Sequence, residues 1–530
     1  MFRRLLLLSI FVLSTAINTL YSQKPNILLV IADDMGVDIL NGYHFEGTFP
    51  TTPTLDSLRA TGITFDNVYS APKCTPSRAA ILSGKYGVKT GVQGTPGNLD
   101  LEHISVFKAL EEATDNAYSD AVIGKWHISQ PIDNFHPTDH GVDYFMGLMG
   151  AAPTDYYAWA KTENGITTTE NTYMTTALTD ASIDWINDQN NNPWFLWLAH
   201  SAPHMPYHVP PDHLYTVSST QNNFGKYLAM IEAVDAELNR LLYSIPEDVR
   251  ENTLVIFIGD NGTPGNVLQG YPAGHGKSTV YQGGIRVPMI ISGKNVTRVG
   301  EREEALIHFT DLYATILEVA GVDMAEGIYN SLSFNHLLNN TEGATRDYNF
   351  SEIIDDGEEV WTVRDKQYKL IENFNGDQEF YDLINDSLEL ENLLDSGLSI
   401  LEEIVRTDLE IEAEQIRTAW SCRDYIKNGD EEGIDCGGSF CNPCITATAD
   451  FTIEFAQIYP NPSSNQITIN AKPENIKGIR LMDSNGKVRI LNSNIDRSEV
   501  SLDIHSLEKG IYFMEVILET HSEMKKLILQ

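Results

Sequence analysis

Basic residues are scarce. Lys plus Arg number 36 against 74 Asp plus Glu, so the 530-residue chain carries a formal net charge of −38. No broad positive surface can be assembled from so few cations, which excludes a nucleic-acid partner or an anionic membrane. Any anion bound here must be held by local cations or by a metal. Cysteine is scarcer still: there are five, and Cys74 stands alone in the first 420 residues. Long apolar runs are missing too. Nothing approaches the roughly 18 apolar residues that a membrane span requires. No internal repeat is present, which argues against a solenoid.

What is present describes an exported globular chain. Hydrophobic residues make up 42%, enough for a sizeable core, and the length predicts two to four domains of about 150 residues each. MFRRLLLLSIFVLSTAINTLYSQ has a basic start at Arg3 and Arg4, an apolar run from Leu5, then small and polar residues. That is the pattern of a secretory signal over residues 1–22. Cys422, Cys436, Cys441 and Cys444 crowd into a Gly/Asp-rich linker at 421–449. Two readings stand for it: two disulfides, in any of three connectivities, or a zinc site with four cysteine ligands. Its acids could also hold Ca²⁺, or simply be solvated.

Residues 23–325 read as an α/β domain with a mostly parallel sheet flanked by helices. PNILLVIADD, AVIGKWH, PWFLWLAH and TLVIFIGDN are apolar runs that stop at Asp, His, Lys or Asn. Such runs suit buried parallel strands, and ligands bind off the carboxyl ends of such strands. Helical spacing recurs over 227–242 and 308–319. From 326 to 420 the pattern changes to strands and a long acidic helix, a smaller α+β subdomain. Residues 450–530 alternate as short strands, a small β-sandwich.

The candidate chemistry sits at the strand ends. Asp33 and Asp34 are adjacent carboxylates, and a buried pair of this kind needs a cation. Asp260 and Asn261 end a later strand with more oxygen ligands, suited to Ca²⁺ or Mg²⁺. The competing reading makes each pair a helix or turn cap. Cys74 precedes Thr75-Pro76-Ser77-Arg78 and a helix-compatible run. At a helix start, with Arg78 one turn on, its thiol pKa would be lowered; the alternative is a buried structural thiol. Lys125, His127, His200, His204, His208, His275, Lys277 and Arg286 follow strands of the same domain and form a candidate anion pocket.

CTPSRAAILSG resembles the signature of the formylglycine-dependent (type I) sulfatases, with Ser83 where Thr is common. DDMG, GKWH, APHMP, GDNG and GKSTVYQGGIRVP stand in that family's order, and the resemblance covers roughly 24–420. It implies an alkaline-phosphatase-like fold. It implies that a formylglycine-generating enzyme oxidises Cys74 to an aldehyde (3-oxoalanine) that hydrates. Asp33, Asp34, Asp260, Asn261 and residue 74 would bind one Ca²⁺. Arg78, Lys125 and His127 would hold and activate the hydrated side chain, and His204 and Lys277 would bind the sulfate and assist the leaving alcohol. His200, His208 and His275 are candidate substrate contacts, as are His44, His136 and His140.

YPNPSSNQITIN, MDSNGKV and LEKGIYFMEV resemble the sorting domain of the type IX secretion system, over about 455–530. That implies export to the cell surface or beyond by the type IX machinery. The combined expectation is a secreted, Ca²⁺-dependent sulfatase acting on a sulfated, algal-type polysaccharide or oligosaccharide, such as ulvan, carrageenan or fucoidan. The alternatives are a phosphate or phosphonate ester hydrolase on the same scaffold and an inactive glycan-binding surface protein.

Overall fold

The computed structural model describes residues 24–129, 136–190, 192–324 and 327–418. In the C-terminal segment it describes 457–459, 466–471, 475–483, 488–505, 507, 509–517 and 522–529. The expected signal segment and the four-cysteine linker, with its disulfide and zinc readings, lie outside the described residues. The chain divides into two compact units, residues 1–346 with 351–356, and residues 347–350 with 357–530.

The first unit is built on one ten-stranded sheet. Its strands are β1 (Asn26–Ala32), β2 (Gly62–Tyr69), β3 (Ser119–Lys125), β4 (Tyr144–Leu148) and β5 (Trp159–Glu163), then β6 (Ile166–Glu170), β7 (Trp194–His200), β8 (Thr253–Gly259), β9 (Met289–Gly293) and β10 (Glu301–His308). They lie in the order β10-β2-β9-β8-β1-β7-β3-β4-β5-β6. The central run from β8 through β1, β7 and β3 to β4 is parallel, and β9, β5 and β6 pair antiparallel. The apolar strands sit where the sheet is covered on both faces: every residue of β1, β7 and β8 is buried.

Alternation along the strands sends Ile27, Leu29 and Ile31 into one core with Phe195, Trp197, Ile256 and Ile258. The helices α1 (Pro53–Thr61), α2 (Cys74–Ser83), α3 (Val106–Thr114), α4 (Met174–Asn187), α5 (Asn223–Ser244) and α6 (Asp311–Val319) connect the strands. Ala79–Leu82 of α2, Phe107 and Leu110 of α3, and Leu312 and Ile316 of α6 close that core. Helix α2 is buried along its whole length, so the residue at its start has a fixed direction.

The second unit contains antiparallel strands over Glu358–Arg364, Tyr368–Glu372 and Gln378–Asp382, and a helix over Ile400–Thr418. Further on, a three-stranded and a four-stranded antiparallel sheet share one core, with Ile467 and Ile469 from one sheet and Ile479, Leu481, Met514 and Val516 from the other. This is the expected sandwich arrangement.

Asp120, near the start of β3, generates a test of this burial. Its carboxyl is pushed up to about 8 by burial, with Asp143 and Glu111 adding repulsion. The folded chain therefore keeps a proton that the unfolded chain releases, and stability falls as pH rises from about 4 to about 8. Asp120→Asn removes that contribution. Urea midpoints of variant and native protein, measured from pH 5 to 8.5, are expected to diverge with rising pH in favour of the variant.

Candidate active site

Strand register assembles the site. Ala32 stands opposite both His200 of β7 and Gly259 of β8. The residues just past those ends, Asp33-Asp34, Ser201 and Asp260-Asn261, therefore emerge side by side. On the other side of β7, Gly124 pairs with Ala199, and Lys125 follows it. Gly124 has a φ of +120°, and a Cβ there would lie 1.9 Å from the Ala199 carbonyl oxygen, so only glycine lets β3 approach β7 here. Helix α2 begins at Cys74 and brings its sulfur to the same edge, 3.1 Å from His127 Nδ1.

The charges are closely matched. Arg78 is fully buried and donates from Nε and Nη2 to Asp260 Oδ2, at 3.1 and 2.8 Å, and from Nη1 to the Lys125 carbonyl at 2.7 Å. Lys125 pairs with Asp33, and Lys277 pairs with Asp34. His204 Nε2 stands 3.7 Å from Asp34 Oδ2. The Asp34 backbone N–H donates to Asp260 Oδ1 and Asn261 Nδ2 donates to Asp34 Oδ1, both at 2.9 Å. The Tyr227 hydroxyl donates to the Asp34 carbonyl at 2.5 Å. These bonds hold Asp34 at a φ of +69°, and His127 takes +54°. Non-glycine residues rarely adopt such angles unless their surroundings enforce them.

Burial alone would raise Asp33, yet Lys125, His204, Arg78 and Lys277 pull it well below the usual carboxylate range. Asp260 is pushed up to about 6 by burial and by Asp33, against the pull of Arg78. His127 is lowered to about 2 by burial, with Lys125 and Arg78 adding repulsion, so its imidazole is neutral. His204 is lowered by burial and partly restored by Asp34. Burial also opposes the charge on Lys277, but Asp34 more than restores it and its pKa rises.

One expectation is corrected here. The Cys74 thiol is raised, not lowered. Burial outweighs Lys125 and Lys277, and Asp33 and Asp260 add repulsion. A helix start lowers a thiol pKa only where the thiolate stays solvated.

The residues fit a hard divalent cation. One atom each from Asp33, Cys74 and Asp260 lies within 4.8 Å of the others, and Asp33, Asp34 and His204 form a second such group. Asp33 Oδ1 and Asn261 Oδ1 are buried without a hydrogen-bond donor. Orphaned buried oxygens beside carboxylates are the ligand set of Ca²⁺ or Mg²⁺, whereas zinc prefers nitrogen and sulfur.

The remaining histidines are not gathered in. His200 is fully buried at the end of β7, both ring nitrogens lack partners, and burial lowers it to about 4. It cannot touch a substrate. His208 bonds to Tyr173 and Pro206 within the protein, and His275 stacks on Tyr281 at 3.7 Å. Both are half-buried. His140 is buried beside Trp126, His136 packs on Phe145, and His44 is exposed. A separate cavity of about 670 Å³, lined by Thr54, Glu232, Asp235 and Arg250 among others, opens at the opposite end of β8 and holds none of the site residues.

Two supporting residues escaped notice in the sequence. Asp38 accepts from Thr263 Oγ1 at 2.6 Å, and the Thr263 carbonyl accepts from the Lys277 backbone N–H at 2.9 Å. The chain after β1 thus anchors the segment bearing Lys277. An acid four residues beyond Asp34 was the available signal.

Residues 25–322, over half of the chain, match the sulfatase family model, and the chain belongs to the sulfatase family. Residues 273–417 match the C-terminal part of N-sulphoglucosamine sulphohydrolase, and 457–530 match the secretion system C-terminal sorting domain, which marks proteins for export. Arylsulfatase J of Mus musculus is 29% identical over 332 residues, covering 58% of this chain and 54% of that one. N-acetylgalactosamine-6-sulfatase of Canis lupus familiaris is 31% identical over 342 residues, covering 57% and 63%. The chain thus spans less than two thirds of the length of these relatives. Among solved structures, Ps i-CgsB superposes with a TM-score of 0.66 at 26% identity, covering 75% of this chain and 95% of that one.

Arg78→Ala leaves Asp33 and Asp260 buried without their guanidinium. Breaking such a buried pair costs about 3–5 kcal/mol. Urea denaturation in a chelating buffer is expected to report a loss of that size, and added Ca²⁺ to recover part of it.

Proposed function

We propose that the protein is an exported, Ca²⁺-dependent hydrolase of sulfate esters on polysaccharides or oligosaccharides, with Cys74 converted to formylglycine by a formylglycine-generating enzyme. The observation that carries the reading is the convergence of residue 74 with four oxygen-bearing ligands and with Arg78, Lys125, His127, His204 and Lys277. Family membership and the named sulfatase relatives support it.

Asp33, Asp34, Asp260 and Asn261 would hold the cation, which when bound supplies charge to acidify a hydroxyl at position 74 and to polarise the ester. A hydrated aldehyde at position 74 would supply two hydroxyls on one carbon, one to attack sulfur and one whose deprotonation restores the carbonyl and releases sulfate. The chain's own groups divide the remaining work. His127 Nδ1, 3.1 Å from the side-chain atom of residue 74, is neutral and faces it, as a proton acceptor must. Arg78 and Lys125 fix Asp260 and Asp33 so that residue 74 meets a constant field. Lys277 and His204 are the partly exposed members of the cluster, with side chains 16% and 13% accessible. They face an entering ester: Lys277 holds a sulfate oxygen, and His204, its Nδ1–H fixed on the Met205 carbonyl at 2.7 Å, gives a proton to the departing alcohol from Nε2 once the entering ester's negative charge has favoured its protonation there.

Export supports the substrate class. A sorting domain sends the protein to extracellular material. One related crystal structure contains a neocarrahexaose, which favours a sulfated algal galactan among the candidate glycans. Free sulfate released from carrageenan, ulvan, fucoidan and an aryl sulfate, read by ion chromatography beside the matching phosphate esters, tests the reading. Sulfate release from at least one of these esters, with phosphate esters slower by orders of magnitude, is the expected result; faster phosphate release would move the protein to the phosphoesterases.

The peptide carrying position 74, from active protein, is expected to weigh about 18 Da less than its cysteine form. Cys74→Ala is expected to lower sulfate release by at least about a thousandfold. EDTA should abolish activity and Ca²⁺ restore it.

A further inference from the structure

The loop that bears His204 packs against an aromatic shelf, Tyr156 and Tyr157 from the segment between β4 and β5 with Tyr173, that the chemistry above does not use. Tyr156 is buried, and its hydroxyl donates to the carbonyls of Ser201 and His204 at 2.8 and 2.7 Å. His208 lies over the Tyr156 ring at 4.1 Å and 29°. Both its nitrogens are used inside the protein, Nδ1 at 3.0 Å from the Pro206 carbonyl and Nε2 at 3.0 Å from the Tyr173 hydroxyl. Tyr157 rests on this base, its ring 5.1 Å from that of Tyr173 and 6.0 Å, edge-on, from that of His208. Its hydroxyl donates to the Val209 carbonyl and its backbone N–H to Asp155, both at 2.8 Å.

A ring held at both ends has little entropy left to lose on binding. Yet Tyr157 remains 41% exposed, with Met205 57% and Val209 36% exposed on the His204 loop that it contacts. An ordered, open aromatic face bonded to the loop that carries His204 offers area to a flat partner with an apolar side, such as the face of a pyranose ring. The charges define that partner further. Asp155 and Asp212 are the carboxylates facing Tyr157, and Asp155 and Lys226 face His208 below it. Exposed carboxylates accept hydrogen bonds from sugar hydroxyls and repel a second sulfate or a uronate.

We infer that Tyr157 forms a sugar subsite for an uncharged pyranose unit linked to the sulfated one. The inference rests on the sulfate-ester reading. A glycan in which sulfated and unsulfated residues alternate is therefore preferred over one sulfated on every residue.

The test compares native protein, Tyr157→Ala and Tyr157→Phe on carrageenan tetrasaccharides carrying one or two sulfates per disaccharide, and on an aryl sulfate. Native protein is expected to favour the singly sulfated tetrasaccharide. Tyr157→Ala should lower the ratio of its kcat/KM on that substrate to its kcat/KM on the aryl sulfate about tenfold. Tyr157→Phe should recover most of the ratio. Equal losses on both substrates, or no loss, would overturn the subsite. A native preference for the doubly sulfated tetrasaccharide would overturn its neutral character. If native protein releases no sulfate from either tetrasaccharide, affinity electrophoresis in chemically desulfated carrageenan decides separately. Retardation of native protein but not of Tyr157→Ala supports the subsite, and equal mobility refutes it.

Discussion

Three carboxylates withdrawn from water, Asp33, Asp34 and Asp260, impose the constraint that the rest of the centre answers. Buried charge is costly unless paired, and each carboxylate has a cation in reach: Lys125, Lys277 and Arg78 respectively. Three negative charges stand against three positive ones. A divalent cation added to that balance would leave the centre positive by two charges, which would suit the binding of an anionic ester. The orphaned oxygens of Asp33 and Asn261 mark where such a cation would be welcome.

That local balance would let a chain with a net charge of −38 act on an anion, as the proposed function requires. The long-range field repels a sulfated polymer, but at about 0.15 M salt it decays over a Debye length of about 8 Å, and faster in brine. Cations buried in the centre are screened far less. Capture of such a polymer would therefore be short-ranged, and its affinity would come largely from contacts with the sugar. The exposed Tyr157 face, as the proposed sugar subsite, would meet that need in a protein too acidic to build a wide basic surface.

Much of this was legible in the residues. PNILLVIADD, PWFLWLAH and TLVIFIGDN became β1, β7 and β8, because a continuous apolar run between polar ends has few other places to go in a folded chain. Asp33, Asp34, Asp260, Asn261, Lys125, His127 and His204 meet, as their positions at or just past strand ends implied, and Arg78 from helix α2 and Lys277 from the long loop after β8 join them. The histidines scattered less predictably. His200 and His204 are four residues apart, yet one is sealed in the sheet and the other faces the carboxylates, a difference set by where β7 stops. Periodicity carries no information on that stopping point. The Cys74 thiol departs from its expected shift for a related reason: a helix start is visible in the chain, but the desolvation that overrides it is not.

Composition and local pattern were enough to determine an acidic, exported α/β protein with oxygen ligands after its strands and one isolated cysteine ahead of a helix. These properties depend on neighbours along the chain, which the order of residues states directly. Tertiary structure alone decided the level register of β1, β7 and β8, the pairing of Lys277 with Asp34, the neutrality of His127 and the open face of Tyr157. Each depends on groups far apart in sequence and on how much water remains between them, and burial is a property of the packed whole.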